Sequence, residues 1–248
     1  GEKRYAHKAL VMLYRMAEVY PSMDHEAQSR YGLMSRAENR KYPGKVVNHI
    51  WECFLIQDVA QAYDMVWDAV DEDMELQQFL GKSGTEIRSF IEANLLEEAI
   101  DAYQSRQIDG NFGMHQVALL NVLLARQHAE TGKYIRMLVD EPGEDAWHTG
   151  IRFALYNLVF RDGIPMESPS YNTLWISKIA ELSELLKKGG TDLFEDSRLK
   201  KLFDAPIEIV ATGLYTPDWG DSGSTLGDVT GRMPDPYQIA YANLKDTT

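Results

Sequence analysis

The stretch Val46-Val47-Asn48-His49-Ile50-Trp51-Glu52-Cys53-Phe54-Leu55-Ile56-Gln57-Asp58-Val59-Ala60-Gln61-Ala62-Tyr63-Asp64-Met65-Val66-Trp67-Asp68-Ala69-Val70 decides the fold class. Val47, Ile50, Trp51, Phe54, Leu55, Val59, Ala62, Tyr63, Val66 and Trp67 recur at intervals of three and four, the spacing of one face of an α-helix. Weaker copies of this period run through residues 9–19, 87–103, 117–129, 151–160, 174–186 and 199–210. Gly and Pro punctuate them at Tyr42-Pro43-Gly44, Gly81-Lys82-Ser83-Gly84, Asp109-Gly110, Glu141-Pro142-Gly143, Asp162-Gly163 and Gly189-Gly190. Ser83 or Thr85 is placed to cap the helix that carries Glu86.

Alternating, strand-like segments are nearly absent. The pattern predicts an all-α chain, an incomplete (α/α) toroid of antiparallel helix pairs over residues 1–214. From Tyr215 onward, Pro217, Gly220, Gly223, Gly227, Gly231, Pro234 and Pro236 predict a loop-rich C-terminal segment over 215–248. No fixed-length repeat supports a regular solenoid.

The chain's 248 residues are 44% hydrophobic and 25% charged, ordinary for a globular protein, and the formal charge is −13. That charge excludes steering onto nucleic acid. It also repels other polyanions unless a local cationic site overrides it, since exposed charges are screened beyond about 8–10 Å at physiological salt. Cys53 stands alone, so no intramolecular disulfide forms, and its neighbours Trp51, Phe54 and Leu55 predict a buried thiol. No apolar run is long enough for a membrane span, and the first residues carry no signal-peptide pattern.

Two segments hold candidate chemistry. Gly110-Asn111-Phe112-Gly113-Met114-His115-Gln116 leads into an apolar helix, so Asn111, His115 and Gln116 supplement the unpaired N–H groups of a helix entrance, a setting suited to a carboxylate. The plainer alternative makes Asn111 a cap and His115 a core histidine. The second segment, Asp162-Gly163-Ile164-Pro165-Met166-Glu167-Ser168-Pro169-Ser170-Tyr171-Asn172, delivers a tyrosine to the start of the helix bearing Trp175. A phenol takes part in proton transfer once its surroundings tune it. Trp147, Trp175 and Trp219 offer faces for sugar stacking, although large aromatics more often line a core. Metal ligands at usable spacing are lacking, and Gly81-Lys82-Ser83-Gly84 lacks the upstream glycine of a phosphate loop.

In order and spacing these segments resemble the heparinase II/III-like polysaccharide lyases. Asp162, Gly163, Glu167, Pro169 and Tyr171 match that group's Asp-Gly-x-x-x-Glu-x-Pro-x-Tyr loop, and His115 lies 56 residues before the tyrosine. Ala17-Glu18-Val19-Tyr20-Pro21, Trp51-Glu52, Ala62-Tyr63-Asp64 and Pro217-Asp218-Trp219-Gly220-Asp221-Ser222 extend the likeness over nearly the whole chain.

The resemblance implies β-elimination on a uronic-acid-containing polysaccharide. Tyr171 would be the acid, or both acid and base, with His115 as base or carboxylate neutraliser. Asn111, Gln116 and Glu167 would contact substrate, with no metal or other cofactor; His49 is a further candidate to line the same cleft, against the plainer alternative that it sits on the polar edge of an amphipathic helix. It implies an acidic polysaccharide or oligosaccharide as partner, a periplasmic or extracellular setting, and a following β-sandwich domain, so that the chain would be either the helical portion of a longer polypeptide or an unusually short relative. Some members carry Asn-His or a glutamate where His115-Gln116 stands. Two other readings compete: a glycoside hydrolase on the same architecture, using Asp162 and Glu167 as paired carboxyls, and a non-catalytic glycan-binding helical module.

Overall fold

The structure is a computed structural model that describes residues 3–25, 43–209, 220 and 234–244. Among these residues no strand occurs; two isolated bridges, Gly44 to Asn48 and Val159 to Pro165, close loops. The all-α expectation therefore holds. The helices are α1 Lys3–Val19, α2 His49–Val66, α3 Ala69–Glu72, α4 Met74–Leu80, α5 Gly84–Ile91, α6 Glu98–Gln104, α7 Met114–Arg126, α8 Thr131–Val139, α9 Ile151–Asn157, α10 Pro169–Lys188, α11 Ser197–Glu208 and α12 Pro234–Leu244. A π-helical turn, Glu92–Glu97, joins α5 to α6. None of them is long and apolar enough to cross a membrane. The chain divides into two compact units, residues 1–110 with 117–131, and residues 111–116 with 132–248.

In the first unit α1 buries Leu10, Leu13, Tyr14 and Ala17, the i, i+3, i+4, i+7 stripe of an amphipathic helix. Helix α2 has the expected period but a rotated phase. Its buried face is Glu52, Cys53, Ile56, Val59, Ala60, Tyr63 and Val66, while Trp51 is 60% exposed. The rotation places a carboxylate in the core, where three donors satisfy it. Tyr20 Oη donates at 3.1 Å, and the backbone N–H groups of Val46 and Val47 donate at 3.0 and 2.8 Å. Burial still pushes the Glu52 carboxyl upward, against the pull of those donors. Beside it the buried Lys45 pairs with Glu98 and lies 5.0 Å from the Tyr20 ring. Cys53 is buried, as its neighbours predict.

The boundary at 81–84 is an ordinary helix junction. Gly81 takes the left-handed conformation that ends α4, and Ser83 forms a capping box with Glu86 at the start of α5. The single helix expected over 87–103 carries a π-turn at its centre. Bonding from i to i+5 sets residues five apart on one side, so Glu92 and Glu97 both reach Arg126, at 3.3 and 2.9 Å. Glu92 also accepts from Tyr63 Oη at 2.6 Å.

The second unit is built on α10, whose Trp175, Ile176, Ile179, Ala180, Leu182 and Leu186 are buried. Against it lies α12, tied by Asn243 Nδ2 donating to Glu184 at 2.9 Å, while Tyr237 meets Phe203 of α11 edge-on at 6.5 Å. Helix α12 falls inside the segment expected to be loop-rich. Pro234 and Pro236 read as breakers in the sequence, yet they occupy a first helical turn, where a missing N–H costs nothing. The rest of 215–248, apart from Gly220, lies outside the described residues.

Replacing Glu52 by Ala strands the buried Tyr20 hydroxyl and two half-buried N–H groups at once. Chemical denaturation should show a loss of about 2–4 kcal/mol. A change below about 0.5 kcal/mol would show that the carboxylate does not hold the 45–47 turn to α2.

Candidate functional site

The second unit gathers its chemistry where residues 111–116 meet the loop 140–150 and α10. Asn111 is half-buried, and its carbonyl accepts from Met114 N at 2.9 Å to start the turn into α7. Phe112 is fully buried against Trp175, with ring centroids 4.5 Å apart. Gly113 takes φ +92°, and a Cβ there would come within 2.6 Å of the Lys178 Cβ. Only glycine combines that backbone with that approach. The first turn of α7 is thereby pressed onto α10.

Gln116, expected to meet a substrate carboxylate, is 1% exposed and committed elsewhere. Its Oε1 accepts from Gly113 N at 2.7 Å and its Nε2 donates to Trp147 O at 2.9 Å. The amide is a brace between the helix entrance and the 140–150 loop, so Gln116 is a positioning residue. The braced loop is also closed on itself. Gly150 N donates to Glu141 O at 2.9 Å, and Gly143 N donates to Thr149 Oγ1 at 3.2 Å.

That loop presents two residues the sequence reading did not single out. Asp145 Oδ1 accepts from Trp147 N at 2.9 Å and from His148 N at 3.0 Å, and His148 Nδ1 lies 2.7 Å away. A carboxylate only accepts, so the short contact assigns the imidazole proton to Nδ1 and leaves Nε2 as the basic nitrogen of the neutral ring. Burial works against the Asp145 charge, but the hydrogen bonds from His148 and Trp147 outweigh it and lower the carboxyl to about 2. The His148 side chain keeps 17% of its surface.

His115 lies behind His148. It is fully buried, and the two imidazoles stack with centroids 4.9 Å apart and planes inclined by 28°. The accessible imidazole of the pair is thus His148, and His115 supports it from within. The motif Asp145-Ala146-Trp147-His148 is an aspartate turn, whose side chain bonds backbone N–H groups two and three residues on. A carboxylate three residues before a histidine was the available signal, but it is common and carries little on its own.

Tyr171 is half-buried in the first turn of α10. Positions 171, 175 and 178 are spaced i, i+4, i+7 and share one helix face, and Trp175 and Lys178 on that face meet Phe112 and Gly113. The two segments singled out in the sequence therefore converge through α10. Trp175 is fully buried, in the core role rather than sugar stacking, and also meets Trp147 edge-on at 6.2 Å. Trp219 lies outside the described residues.

The remaining candidates take local roles. Glu167 is half-buried and its N–H donates to Asn172 Oδ1 at 3.2 Å, while the exposed Asp162 accepts from Ile164 N at 3.1 Å. Near them a small pocket lined by Ile164, Pro165, Pro169, Asn172, Thr173 and Pro206 has room for water but not for a sugar ring. His49 belongs to the first unit, where it opens α2. Its carbonyl accepts from Asp109 N at 3.2 Å, and burial pushes its imidazole below the usual range against the opposing effect of Asp109. No family model and no curated protein matches the chain.

The low Asp145 acidity makes a signed prediction. A carboxyl depressed in the fold stabilises it above the unfolded value of 3.8 and loses that contribution as pH falls toward 2. Melting curves of wild type and Asp145→Asn should differ most above pH 4 and converge near pH 2. A difference independent of pH would show that the carboxylate charge is not what the loop uses.

Proposed function

We propose that this chain is a polysaccharide lyase of the heparinase II/III type that breaks uronic-acid-containing glycans by β-elimination, its helices forming part of an (α/α) toroid. The observation that supports this reading most directly is the carboxylate-oriented imidazole of His148. It is stacked on His115 at a helix entrance, and the α10 face carrying Tyr171 meets that same segment.

β-Elimination requires a base for the C5 proton, an acid for the departing O4 oxygen, and stabilisation of the charge that develops on the C6 carboxyl group. His148, held by Asp145 with Nε2 as its basic nitrogen, suits the base role by the logic of a carboxylate–histidine pair. Tyr171 is the acid. Asn111, half-buried at the entrance to α7, supplies an amide donor to the substrate carboxylate. His115 and Gln116 act through others, the first by backing the His148 ring and the second by bracing its loop. Acting on structural polysaccharides would place the protein in the periplasm or outside the cell.

Hydrolysis has less support, because it needs two carboxyl groups flanking the bond. The obvious pair includes Asp162, whose exposed carboxylate is spent on a turn.

Incubation with a panel of uronate polysaccharides should generate new ultraviolet absorbance from a C4=C5 double bond. Tyr171→Phe and His148→Asn should each reduce the initial rate by about 10²–10⁴. New reducing ends without absorbance would replace the lyase by a hydrolase. Normal turnover by Tyr171→Phe would remove the phenol from the chemistry.

A further inference from the structure

Outside this site the second unit exposes a run of aromatic residues that the proposed chemistry does not use. Phe153, Tyr156 and Phe160 are 37%, 55% and 62% exposed. Phe153 and Tyr156 stand i, i+3 on α9, about 4.5 Å apart along its axis, and Phe160 follows just past the helix end. Single exposed aromatics need no explanation, but consecutive ones held in place by cations do.

The backbone beneath these rings is fixed by basic side chains. Arg198 Nη1 donates to Phe160 O at 3.3 Å, and its guanidinium sits 5.4 Å from the Tyr156 ring centroid. Lys201 Nζ donates to Arg161 O at 3.2 Å. Gly163, at φ +103°, lies so close to the Lys201 backbone that a Cβ would overlap the Lys201 carbonyl. Tyr156 Oη reaches Asp196 Oδ1 at 3.4 Å.

This surface brings cations beside the aromatic rings on a chain that carries −13. Arg161 and Lys201 are exposed and Arg198 is half-buried. Arg198 and Lys201 donate here to neutral carbonyls, which orient the cations without cancelling their charge. The carboxylates on the same elements are Asp162, Glu167, Glu195, Asp196, Asp204 and Glu208, of which Asp204 acts on Tyr237 of α12. Asp196 already accepts from Arg198 N at 2.8 Å as well as from Tyr156, and Asp162 accepts from Ile164 N. Flat rings interleaved with guanidinium and ammonium groups match a chain of pyranose rings bearing carboxylates: the apolar sugar face lies on the aromatic, and the acid meets the cation.

We propose that Phe153, Tyr156, Phe160, Arg161, Arg198 and Lys201 form a binding subsite for an acidic oligosaccharide, separate from the proton-transfer residues. The inference rests on the reading of this protein as a uronate lyase. It adds that the glycan is gripped at a second place along its length. The loop that leaves Phe160 folds back, with Met166 N donating to Leu158 O at 3.1 Å, before the chain enters α10. Local cations of this kind offset the repulsion that the net charge imposes on a polyanion.

The test measures binding apart from turnover. Hexasaccharides of alginate, hyaluronan and heparan sulfate, with a neutral xylan hexasaccharide as control, are titrated calorimetrically into wild type, Tyr156→Ala/Phe160→Ala and Arg161→Glu/Lys201→Glu. At least one acidic probe should bind wild type more tightly than xylan does. Each double variant should weaken that binding by about fivefold or more, and added salt should weaken it further for wild type than for the charge-reversed variant. Circular dichroism should show both variants folded, since the substituted side chains are exposed, and Arg198, which anchors Phe160, is kept.

Unchanged affinity in both folded variants would overturn the subsite, as would failure of every acidic probe to bind wild type. Variant-sensitive binding to anionic lipid vesicles without oligosaccharide binding would assign the surface to a membrane and overturn the glycan assignment. Variant-sensitive glycan binding without ultraviolet product would leave the subsite standing and remove the lyase reading alone.

Discussion

The amide of Gln116 is the brace on which the candidate site depends. It is one side chain, shut away from water, with its oxygen on the helix entrance at Gly113 and its nitrogen on the loop carbonyl of Trp147. A buried amide left half-satisfied is costly, so the loop is held at the distance that satisfies both ends. That distance brings His148 over His115 and lets Asp145 orient the outer imidazole. Gly113 completes the arrangement by letting the α7 entrance approach α10 more closely than any side chain allows.

The same logic operates in the first unit with different residues. Glu52 lies in the core because one hydroxyl and two backbone N–H groups are aimed at it, and Lys45 lies beside it because Glu98 is its counter-ion. Removing either partner of such a group leaves a buried charge or donor exposed to a low-dielectric interior. The polar residues of these two networks therefore divide by what they touch. Glu52 and Gln116 fix backbone, whereas His148 has a fixed ring and a surface left for chemistry.

Much of the fold was legible because hydrophobic period survives changes of detail. The helix containing residues 49–66 was plain in its spacing, yet its phase was hidden: Trp51 looks like core and Glu52 like surface until Tyr20 and the 46–47 turn are brought up in three dimensions. The π-turn at 92–97 is similarly invisible to a count based on 3.6 residues. Helix α4 and helix α8 were missed as short segments between breakers, and α12 because Pro234 and Pro236 read as loop. Of the site, the segments around His115 and Tyr171 were recognisable, since helix entrances and proline-rich loops have local signatures. Their convergence through Phe112, Trp175 and Lys178 was not, and neither was the pairing of His148 with Asp145, because contacts across the unit leave no mark in local spacing.

On the proposed reading, the Asp145-held imidazole of His148 and the phenol of Tyr171 face one ligand. Side-chain NMR of histidine-labelled and tyrosine-labelled protein, titrated with an unsaturated uronate oligosaccharide as product analogue, tests it directly. In the protein without ligand His148 should be the Nδ1–H tautomer, and the ligand should shift the His148 Nε2 and Tyr171 ring resonances together with a single saturation curve. An Nε2–H tautomer in the free protein, or saturable binding that leaves both resonances in place, would contradict it.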